Sequence, residues 1–164
     1  MRSLKQIPNK IFDRYSLIKQ VFIWKLLNKK IVFTNGVFDI LHKGHIASLT
    51  EAASYGEILI VAVNANASVT KLKGPNRPVN DENTRALILA SLLQTDAVIL
   101  FEEDTPLELI KALMPDVLVK GGDYSIEQIA GANEVIANGG EVKIAKSIEG
   151  ISTTKIINKM KSEV

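Results

Sequence analysis

Length, composition and charge describe a small globular protein of 164 residues, 46% of them hydrophobic, with a formal net charge of +2. This balance excludes a disordered segment and favours one compact domain. The chain has no cysteine, which excludes disulfides and thiolate catalysis and argues against a structural zinc site. We therefore expect a single domain from a reducing compartment, the cytoplasm.

The N-terminal segment, residues 1–29, is basic and predicts an extra helix around residues 14 to 28. Eight basic residues precede residue 31, against the single acid Asp13. A solvated helix face explains this charge best, and contact with nucleic acid or a membrane surface is the less favoured alternative. The apolar stretch 21–27 is short, is interrupted by a lysine and lacks a small-residue cleavage site, so it predicts neither a signal peptide nor a membrane span. We expect no nucleic-acid partner and no membrane partner.

Five short apolar runs predict five β-strands. The first four are rich in Val, Ile and Leu and show no clean polar alternation, which is typical of strands covered on both faces. The segments between the runs carry helix caps, such as Asn80 or Asp81, and Gly or Pro stops. The predicted strands are 30–35, 57–64, 96–101, 116–121 and 141–146. The predicted helices are 44–56, 80–94, 104–115, 125–140 and 152–161.

The alternation of strands and helices predicts right-handed βαβ crossovers and a Rossmann-like, doubly wound α/β fold with a five-stranded parallel sheet. We expect residues 30–164 to form this single domain, with residues 1–29 as a helical extension. One connection, residues 65–81, is unusually long and polar, and we predict it as a loop. Loops of this length in compact domains are usually functional or disordered.

Both histidines of the chain lie in one stretch, "TNGVFDILHKGH" at residues 34–45. The sequence has neither a P-loop nor a G-x-G-x-x-G fingerprint, so the two commonest phosphate cradles are missing. Gly36 and Gly44 nevertheless allow close backbone approach, and a helix that begins near Gly44 directs free N–H groups at an anion. His42 and His45, one turn apart, would donate hydrogen bonds to phosphate oxygens on the same side. We predict a phosphate clamp.

A metal site is the alternative interpretation of the two histidines. Histidines at this spacing can ligate a metal, but a catalytic zinc needs a third protein ligand, and only Asp39 is near in sequence. We favour the phosphate clamp because both histidines lie in one Gly-containing turn between a strand and a helix.

Three further clusters follow other predicted strands and should meet the histidines at one edge of the sheet. They are "KLKGPNR" (71–77), "KGGDY" (120–124) and "EGISTTK" (149–155). Ser152 is predicted to cap the last helix. Lys155 stands where a capping box has Glu or Gln, and its charge opposes the helix dipole unless a polyphosphate binds there.

The "KGGDY" cluster has two interpretations. Gly121 and Gly122 permit the backbone to approach a planar ligand closely, and Asp123 can accept a hydrogen bond from a ribose hydroxyl. Gly-Gly-Asp is also common turn chemistry. The residues alone leave both interpretations open.

The stretch "GVFDILHKGH" resembles the G-x-F-D-x-x-H-x-G-H signature of the cytidylyltransferase-like nucleotidyltransferases, and "ISTTKI" resembles their C-terminal I-S-T motif. From about residue 30 onwards, "LKGPNRPVN", "FEEDTP", "PDVLVKGGDY", "IAGANEV", "NGGEV" and "STTKII" are similar to the bacterial heptose 1-phosphate adenylyltransferases of this family. The resemblance implies transfer of AMP from ATP, with Mg²⁺ accompanying ATP, to a heptose 1-phosphate. It further implies a cytoplasmic homodimer that serves lipopolysaccharide synthesis.

Two other functions remain open. A CTP-dependent transferase of glycerol 3-phosphate or a related polyol phosphate shares the same signature. A nucleotide-binding regulator without turnover would use the same phosphate-binding residues. The nucleotide that supports pyrophosphate release separates these functions.

The resemblance also assigns roles to individual residues. His42 and His45 would stabilise the α-phosphate as charge builds there, and Lys73 and Arg77 would draw the two anions together. The residues implied at the β- and γ-phosphates are Arg85, Ser152, Thr153 and Thr154. The other implied nucleotide contacts are Thr34, Asn35, Gly36, Phe38, Asp39, Gly44, Gly121, Gly122 and Asp123.

The sequence departs from the family pattern at one place. After the second predicted strand the family usually has Asn-Ser-Asp, where this chain has Asn64, Ala65 and Asn66. If the family's acid contributes to the sugar or metal environment, its loss changes substrate choice. If only its backbone matters, nothing changes.

Overall fold

A six-stranded parallel β-sheet organises the chain in this computed structural model, which describes residues 6–122, 124–146, 148 and 150–162. The strands are β1 (Ile11–Phe12), β2 (Ile31–Gly36), β3 (Ile58–Asn64), β4 (Ala97–Phe101), β5 (Val117–Gly121) and β6 (Glu141–Ala145). They lie in the order β1-β4-β3-β2-β5-β6, and every neighbouring pair is parallel. The predicted α/β fold with a parallel sheet is confirmed.

The prediction of five strands is wrong by one. The additional strand, β1, lies in the N-terminal segment and pairs with β4 through Ile11–Val98 and Phe12–Ile99. A strand of two residues is too short to show a periodicity in sequence, so only its pairing identifies it. The N-terminal segment therefore contributes to the sheet as well as supplying a helix.

Seven α-helices occupy the described residues: α1 (Arg14–Leu26), α2 (Lys43–Ala53), α3 (Asn66–Lys73), α4 (Glu82–Ala90), α5 (Leu107–Leu113), α6 (Ala132–Ala137) and α7 (Thr153–Ser162). The predicted N-terminal helix is confirmed as α1, and its N-cap Asp13 accepts from the backbone N–H of Ser16. Asp81, one of two predicted caps, is the N-cap of α4. Within the described residues, no helix is long and apolar enough to cross a membrane.

Helix α3 lies in the connection that we predicted as a loop, and that prediction is wrong for residues 66–73. The helix buries only Ser68 and Val69, and its eight residues are mostly polar, so the segment lacks the apolar content that indicated the other helices. Its first backbone N–H, from Asn66, donates to the Glu82 carboxylate of α4 at 2.5 Å. Tertiary contact therefore supports a helix that the local pattern does not indicate.

The single helix predicted at residues 125–140 is two shorter elements. A 3₁₀-helix, Ile126–Gln128, precedes α6. Between them Gly131 has a φ of +86°, and a Cβ there would lie 2.7 Å from the side chain of Ile110. Close packing against α5 and a left-handed backbone both require glycine at this position, which interrupts the helix.

The helices cover the two faces of the sheet separately. Ile31, Phe33 and Leu118 point to the layer that contains α1, α5 and α6, which we call the α5 face. Val32 and Val117 point to the layer that contains α2 and α4, which we call the α2 face. Because side chains alternate along a strand, every residue of β2 and β5 is assigned to one of these faces by its position.

Candidate active site

A cavity of about 510 Å³ opens at the carboxyl ends of β2 and β5. Ten of the residues implied by the sequence line it: Thr34, Asn35, Gly36, Phe38, His42, Gly44, His45, Lys73, Gly121 and Gly122. The cavity is also lined by Ile148 and Ile151, which precede α7. The four clusters that follow separate strands therefore converge on one rim, as expected for a doubly wound sheet. Asp123 lies outside the described residues.

The two histidines form a stacked pair at the start of α2. Their ring centroids are 3.8 Å apart and their planes differ by 19°. His42 is the N-cap of α2, because its Nδ1 accepts the backbone N–H of His45 at 3.4 Å. Phe38 packs edge-on against His45, with ring centroids 5.4 Å apart. Nδ1 of His45 is buried, so Nε2 is the nitrogen of this ring that remains to contact a ligand.

Both imidazoles are neutral at pH 7. Burial, and secondly the charge of His42, lower the pKa of His45 to about 4, although a backbone hydrogen bond to Ile40 opposes the shift. Burial also lowers the pKa of His42 below its ordinary value. Each ring therefore offers a neutral N–H donor to a phosphate oxygen, and positive charge at the rim has to come from elsewhere.

The low pKa of His45 predicts a specific loss of stability in acid. Between pH 6.5 and pH 4 the unfolded chain binds a proton at this position that the folded chain does not, so the contribution of His45 to the free energy of unfolding falls as the pH falls. Urea unfolding of the wild type and of His45→Gln across this range should show a shallower pH dependence in the variant. Parallel curves would contradict the pKa shift.

Gly44 lies against the clamp and should not tolerate a side chain there. An alanine Cβ at this position would lie 3.0 Å from Nδ1 of His42 and 3.5 Å from Ile151. Since alanine favours a helix by about 1 kcal/mol over glycine, Gly44→Ala should leave the free energy of unfolding unchanged or raised. We expect kcat to fall about tenfold, because the His42 ring is displaced. Turnover and urea unfolding measured on the same preparation check this, and an unchanged kcat would show that the position of the ring does not matter.

Asp39 is buried and anchors the loop between α3 and α4. Its carboxylate accepts from the backbone N–H groups of Val79 at 2.8 Å and Asn80 at 2.9 Å, and from Nε of Arg77 at 2.6 Å. Burial raises the pKa of Asp39, but these hydrogen bonds outweigh it and leave the pKa below its ordinary value. The predicted nucleotide contact does not fit this geometry, because both oxygens are used within the protein. Asp39, the candidate third metal ligand, is occupied in the same way.

Arg85 is fully buried and does not line the cavity. Its guanidinium donates to the carbonyl oxygens of Asn80 at 3.0 Å and Val37 at 2.8 Å, and to the side-chain oxygen of Asn66 at 2.9 Å. The expected direct contact with the β- and γ-phosphates does not fit this burial. Arg85 instead joins the turn after β2 to the loop that Asp39 anchors.

The hydrogen bond from Arg85 explains structurally why Asn66 can stand where the family usually has Asp. The side-chain oxygen of Asn66 serves as an acceptor for Arg85 and does not line the cavity. A carboxylate at this position would accept the same hydrogen bond with a charge added. The change therefore concerns the support of the site rather than its lining.

The start of α7 lies beside the histidine turn. The predicted N-cap Ser152 is confirmed, because its Oγ accepts the backbone N–H of Lys155 at 3.2 Å. Thr153 donates to the carbonyl of Ile40, in the turn before α2, at 3.3 Å. Ser152 and Thr153 line neither of the two described cavities, and Thr154 lines the second one, so a shared ligand for α7 and the histidines stays a prediction.

Lys73 joins the main cavity to a second, shallower one of about 550 Å³. The second cavity lies between the anchored loop and α7. Its lining residues include Arg77, Thr154, Asn158 and Lys161. Lys73 at the end of α3 and Lys161 on α7 therefore bring positive charge to this region, whereas the charge of Arg77 is paired with Asp39.

Sequence reasoning named Lys120 and Asn64 within motifs without giving them a role and missed Ser48, and all three line the main cavity. Lys120 ends the apolar run of β5, and a charged residue within such a run is a signal that can be recognised in the sequence. Asn64 similarly ends β3, and its side chain donates to Ser68 at 3.2 Å. Polar residues at the carboxyl ends of buried strands would have identified both.

The cytidylyltransferase-like family matches residues 33–159. Three similar curated relatives are each named Bifunctional protein HldE. The chain is 51% identical over 153 residues to the one from Caulobacter vibrioides, covering 93% of this chain and 32% of the relative. It is 53% identical over 151 residues to the one from Vibrio cholerae (92% and 32%) and 50% identical over 150 residues to the one from Koribacter versatilis (92% and 31%). The chain thus spans about a third of the length of these relatives.

Two solved structures share the fold. The lipopolysaccharide core biosynthesis protein from Thermoplasma volcanium is 31% identical, with a TM-score of 0.59, over 73% of this chain and 97% of that one. Pantoate-beta-alanine ligase from Francisella tularensis, at 18% identity, has a TM-score of 0.55 over 93% of this chain and 77% of that one, and supports the fold alone. Together with the family match across most of the domain, these similarities show that the chain belongs to the cytidylyltransferase-like family.

Proposed function

We propose that this chain transfers AMP from ATP to a heptose 1-phosphate, releasing pyrophosphate and ADP-heptose. The observation that carries the proposal is the stacked pair of neutral histidines at the N-terminus of α2, facing a cavity that Ile148 and Ile151, just before α7, also line. A cavity of about 510 Å³ lies within the usual range for small-molecule sites. The similarity to the HldE proteins and to a lipopolysaccharide core biosynthesis protein supports heptose phosphate as the acceptor class.

The reaction is an in-line displacement at the α-phosphorus of ATP. An oxygen of the sugar phosphate forms a bond to that phosphorus while the bond to the oxygen bridging the α- and β-phosphates breaks, and pyrophosphate leaves with the electron pair. Because the nucleophile is already an anion at pH 7, no general base is required. The protein contributes alignment and neutralisation of charge.

The residues divide this work among them. His42 and His45 donate to the α-phosphate oxygens as charge builds there. Lys73 and Arg77 draw the two anions together, and the Ser152, Thr153 and Thr154 start of α7 holds the β- and γ-phosphates. Arg85 and Asp39 act indirectly, by holding the turn and loop that carry the other groups.

Magnesium fits this site as a companion of the triphosphate. Among the described residues, no group of three His, Asp or Glu side chains can hold a metal ion. The carboxylate of Asp104 lines the cavity but pairs with Lys71 at 2.7 Å. Mg²⁺ is commonly bound through substrate phosphates and waters, and it would neutralise charge on the departing pyrophosphate.

Pyrophosphate release separates the proposed function from its alternatives. The purified chain should release pyrophosphate with ATP and a heptose 1-phosphate. It should not do so with CTP and glycerol 3-phosphate. Release with CTP alone would establish the cytidylyltransferase alternative, and tight ATP binding without release from any acceptor would establish the regulator.

The homodimer remains a prediction, for which α1 supplies a surface. Tyr15, Phe22 and Leu26 lie on one side of α1 and are 68%, 62% and 66% exposed. Contiguous exposed apolar groups mark interaction surfaces. Sedimentation equilibrium should show a dimer that Phe22→Glu dissociates. A monomeric wild type at micromolar concentration would contradict the prediction.

A further inference from the structure

Lys120 is a cation inside the main cavity that the mechanism above does not use. We propose that Lys120 binds the phosphate of the acceptor sugar, on the face of the sheet opposite the histidines, with Asn35 orienting its ammonium group. The proposal rests on the proposed function and adds to it the acceptor subsite. It makes Lys120 a substrate-binding residue rather than a structural one.

Strand register places Lys120 on the α5 face. In β5 Leu118 points to that face, so Lys120, two residues further, points the same way. In β2 Phe33 points to the α5 face and so does Asn35. The hydrogen bond from Nζ of Lys120 to the side-chain oxygen of Asn35, 3.1 Å long, agrees with this placement.

The histidines reach the cavity from the other face. They belong to the start of α2, and α2 packs on the α2 face through Leu49 and Ala52. The residues that line the cavity come from both faces, with Ser48 on one and Ile129 on the other. The cavity therefore passes over the carboxyl edge of the sheet, with the histidines on one side and Lys120 on the other.

In-line chemistry accommodates such a division. The attacking and leaving oxygens lie on opposite sides of the α-phosphorus in the transition state. With ATP held by the histidines on the α2 face, the α5 face gives the acceptor phosphate a separate approach. Lys120 is the lysine of the described cavity lining that stands there; Lys73, the other lysine of that lining, ends α3, which follows β3 in the chain.

The surroundings of Lys120 leave its charge free for a ligand. Its hydrogen bond is to a neutral amide, and no described carboxylate forms an ion pair with it. Tyr124 lies nearby, with its ring centroid 5.6 Å from Nζ. Burial lowers the pKa of Lys120, because the ammonium group loses contact with water. A phosphate dianion would replace that lost hydration with an ion pair. Lys120 is partly buried, and among the described residues no carboxylate balances its charge, so a phosphate would supply a counter-charge there.

The test compares the two substrates in one variant. Lys120→Met keeps the length of the side chain and removes its charge, Lys120→Arg keeps the charge, and Lys111→Met removes a lysine exposed on α5 as the matched control. For Lys120→Met we expect the KM for heptose 1-phosphate to rise about 10-fold to 100-fold, the loss of one charge-assisted hydrogen bond. The Kd of α,β-methylene-ATP, measured by calorimetry, should stay within about twofold of the wild type.

The outcomes of these measurements either support the assignment of Lys120 to the acceptor phosphate or contradict it. Partial recovery of the acceptor KM in Lys120→Arg, with Lys111→Met unchanged, would support the proposal. An unchanged acceptor KM in Lys120→Met would overturn it, as would a parallel weakening of the ATP analogue, which would place the lysine with the nucleotide or in the framework. Thermal unfolding of each variant reports whether it is folded. A wild type that releases no pyrophosphate with any sugar 1-phosphate would contradict the proposed function itself. Failure of the Lys120 proposal and failure of the proposed function are therefore distinguishable.

Discussion

Replacing His45 with alanine should lower kcat by about 10²–10³, the usual cost of removing one preorganised donor to developing charge. His45 is neutral, stacked on His42 and held by Phe38, so its N–H is fixed before the substrate arrives. Charge on the α-phosphate oxygens grows in the transition state, and the effect should therefore fall mainly on kcat. Steady-state pyrophosphate release measures it.

His45→Asn is the matched variant, because it retains a side-chain N–H on a shorter side chain. It should recover part of the lost rate if the donor matters. The Kd of a non-reacting ATP analogue should change by less than about tenfold in both variants, since the clamp acts mainly on the transition state. An unchanged kcat in His45→Ala, with the variant folded, would contradict the clamp.

Removing the Asp39 carboxylate should destabilise the protein more than any exposed ion pair does. Asp39→Ala leaves the Arg77 guanidinium and two backbone N–H groups without their acceptor in a buried place, and we expect a loss of about 3–5 kcal/mol in the free energy of unfolding. Turnover should fall as well, because the loop that carries Arg77 and follows Lys73 loses its anchor. Urea unfolding and pyrophosphate release measure the two effects.

Glu108→Gln is the matched control for Asp39→Ala. It removes one carboxylate charge from an exposed pair with Lys111 on α5, and such pairs contribute about 0–1 kcal/mol. Asp39→Asn should lie between the two, since the amide keeps an acceptor for the backbone N–H groups but loses the ion pair. A loss for Asp39→Ala no larger than that for Glu108→Gln would show that the loop does not depend on this anchor.

Local sequence patterns predicted the elements that depend on neighbouring residues. Asp81 and Ser152 cap the helices that they were expected to cap, because an N-cap bonds to backbone groups two or three residues away. The continuous apolar runs predicted β2 to β5, since strands buried on both faces need continuous apolar residues. The shorter run at residues 141–146 predicted β6, which lies at the edge of the sheet and is only partly buried. The glycines and histidines around residue 44 were placed at the cavity by the same logic.

Residues whose partners are distant in sequence escaped prediction. Asp39 and Arg77 are 38 residues apart, and Arg85 and Val37 are 48 apart, so nothing in the local pattern indicates that they meet. The resemblance implied that Asp39 contacts the nucleotide and that Arg85 contacts the β- and γ-phosphates. Both side chains are buried, and a buried charge needs hydrogen-bond or ion-pair partners inside the protein, so neither is free to contact the nucleotide.

The sequence by itself determined the parallel α/β fold, the histidine turn at the start of α2 and the cap of α7, because these follow from periodicity, caps and glycine positions. Only the tertiary structure decided that β1 joins the sheet, that α3 is helical, that Asp39 and Arg85 support the loop, and that Lys120 faces away from the histidines. The reason is physical. Strand register and buried polar bonds are set by pairing between distant segments, and a one-residue shift in register would move a side chain such as Lys120 to the other face.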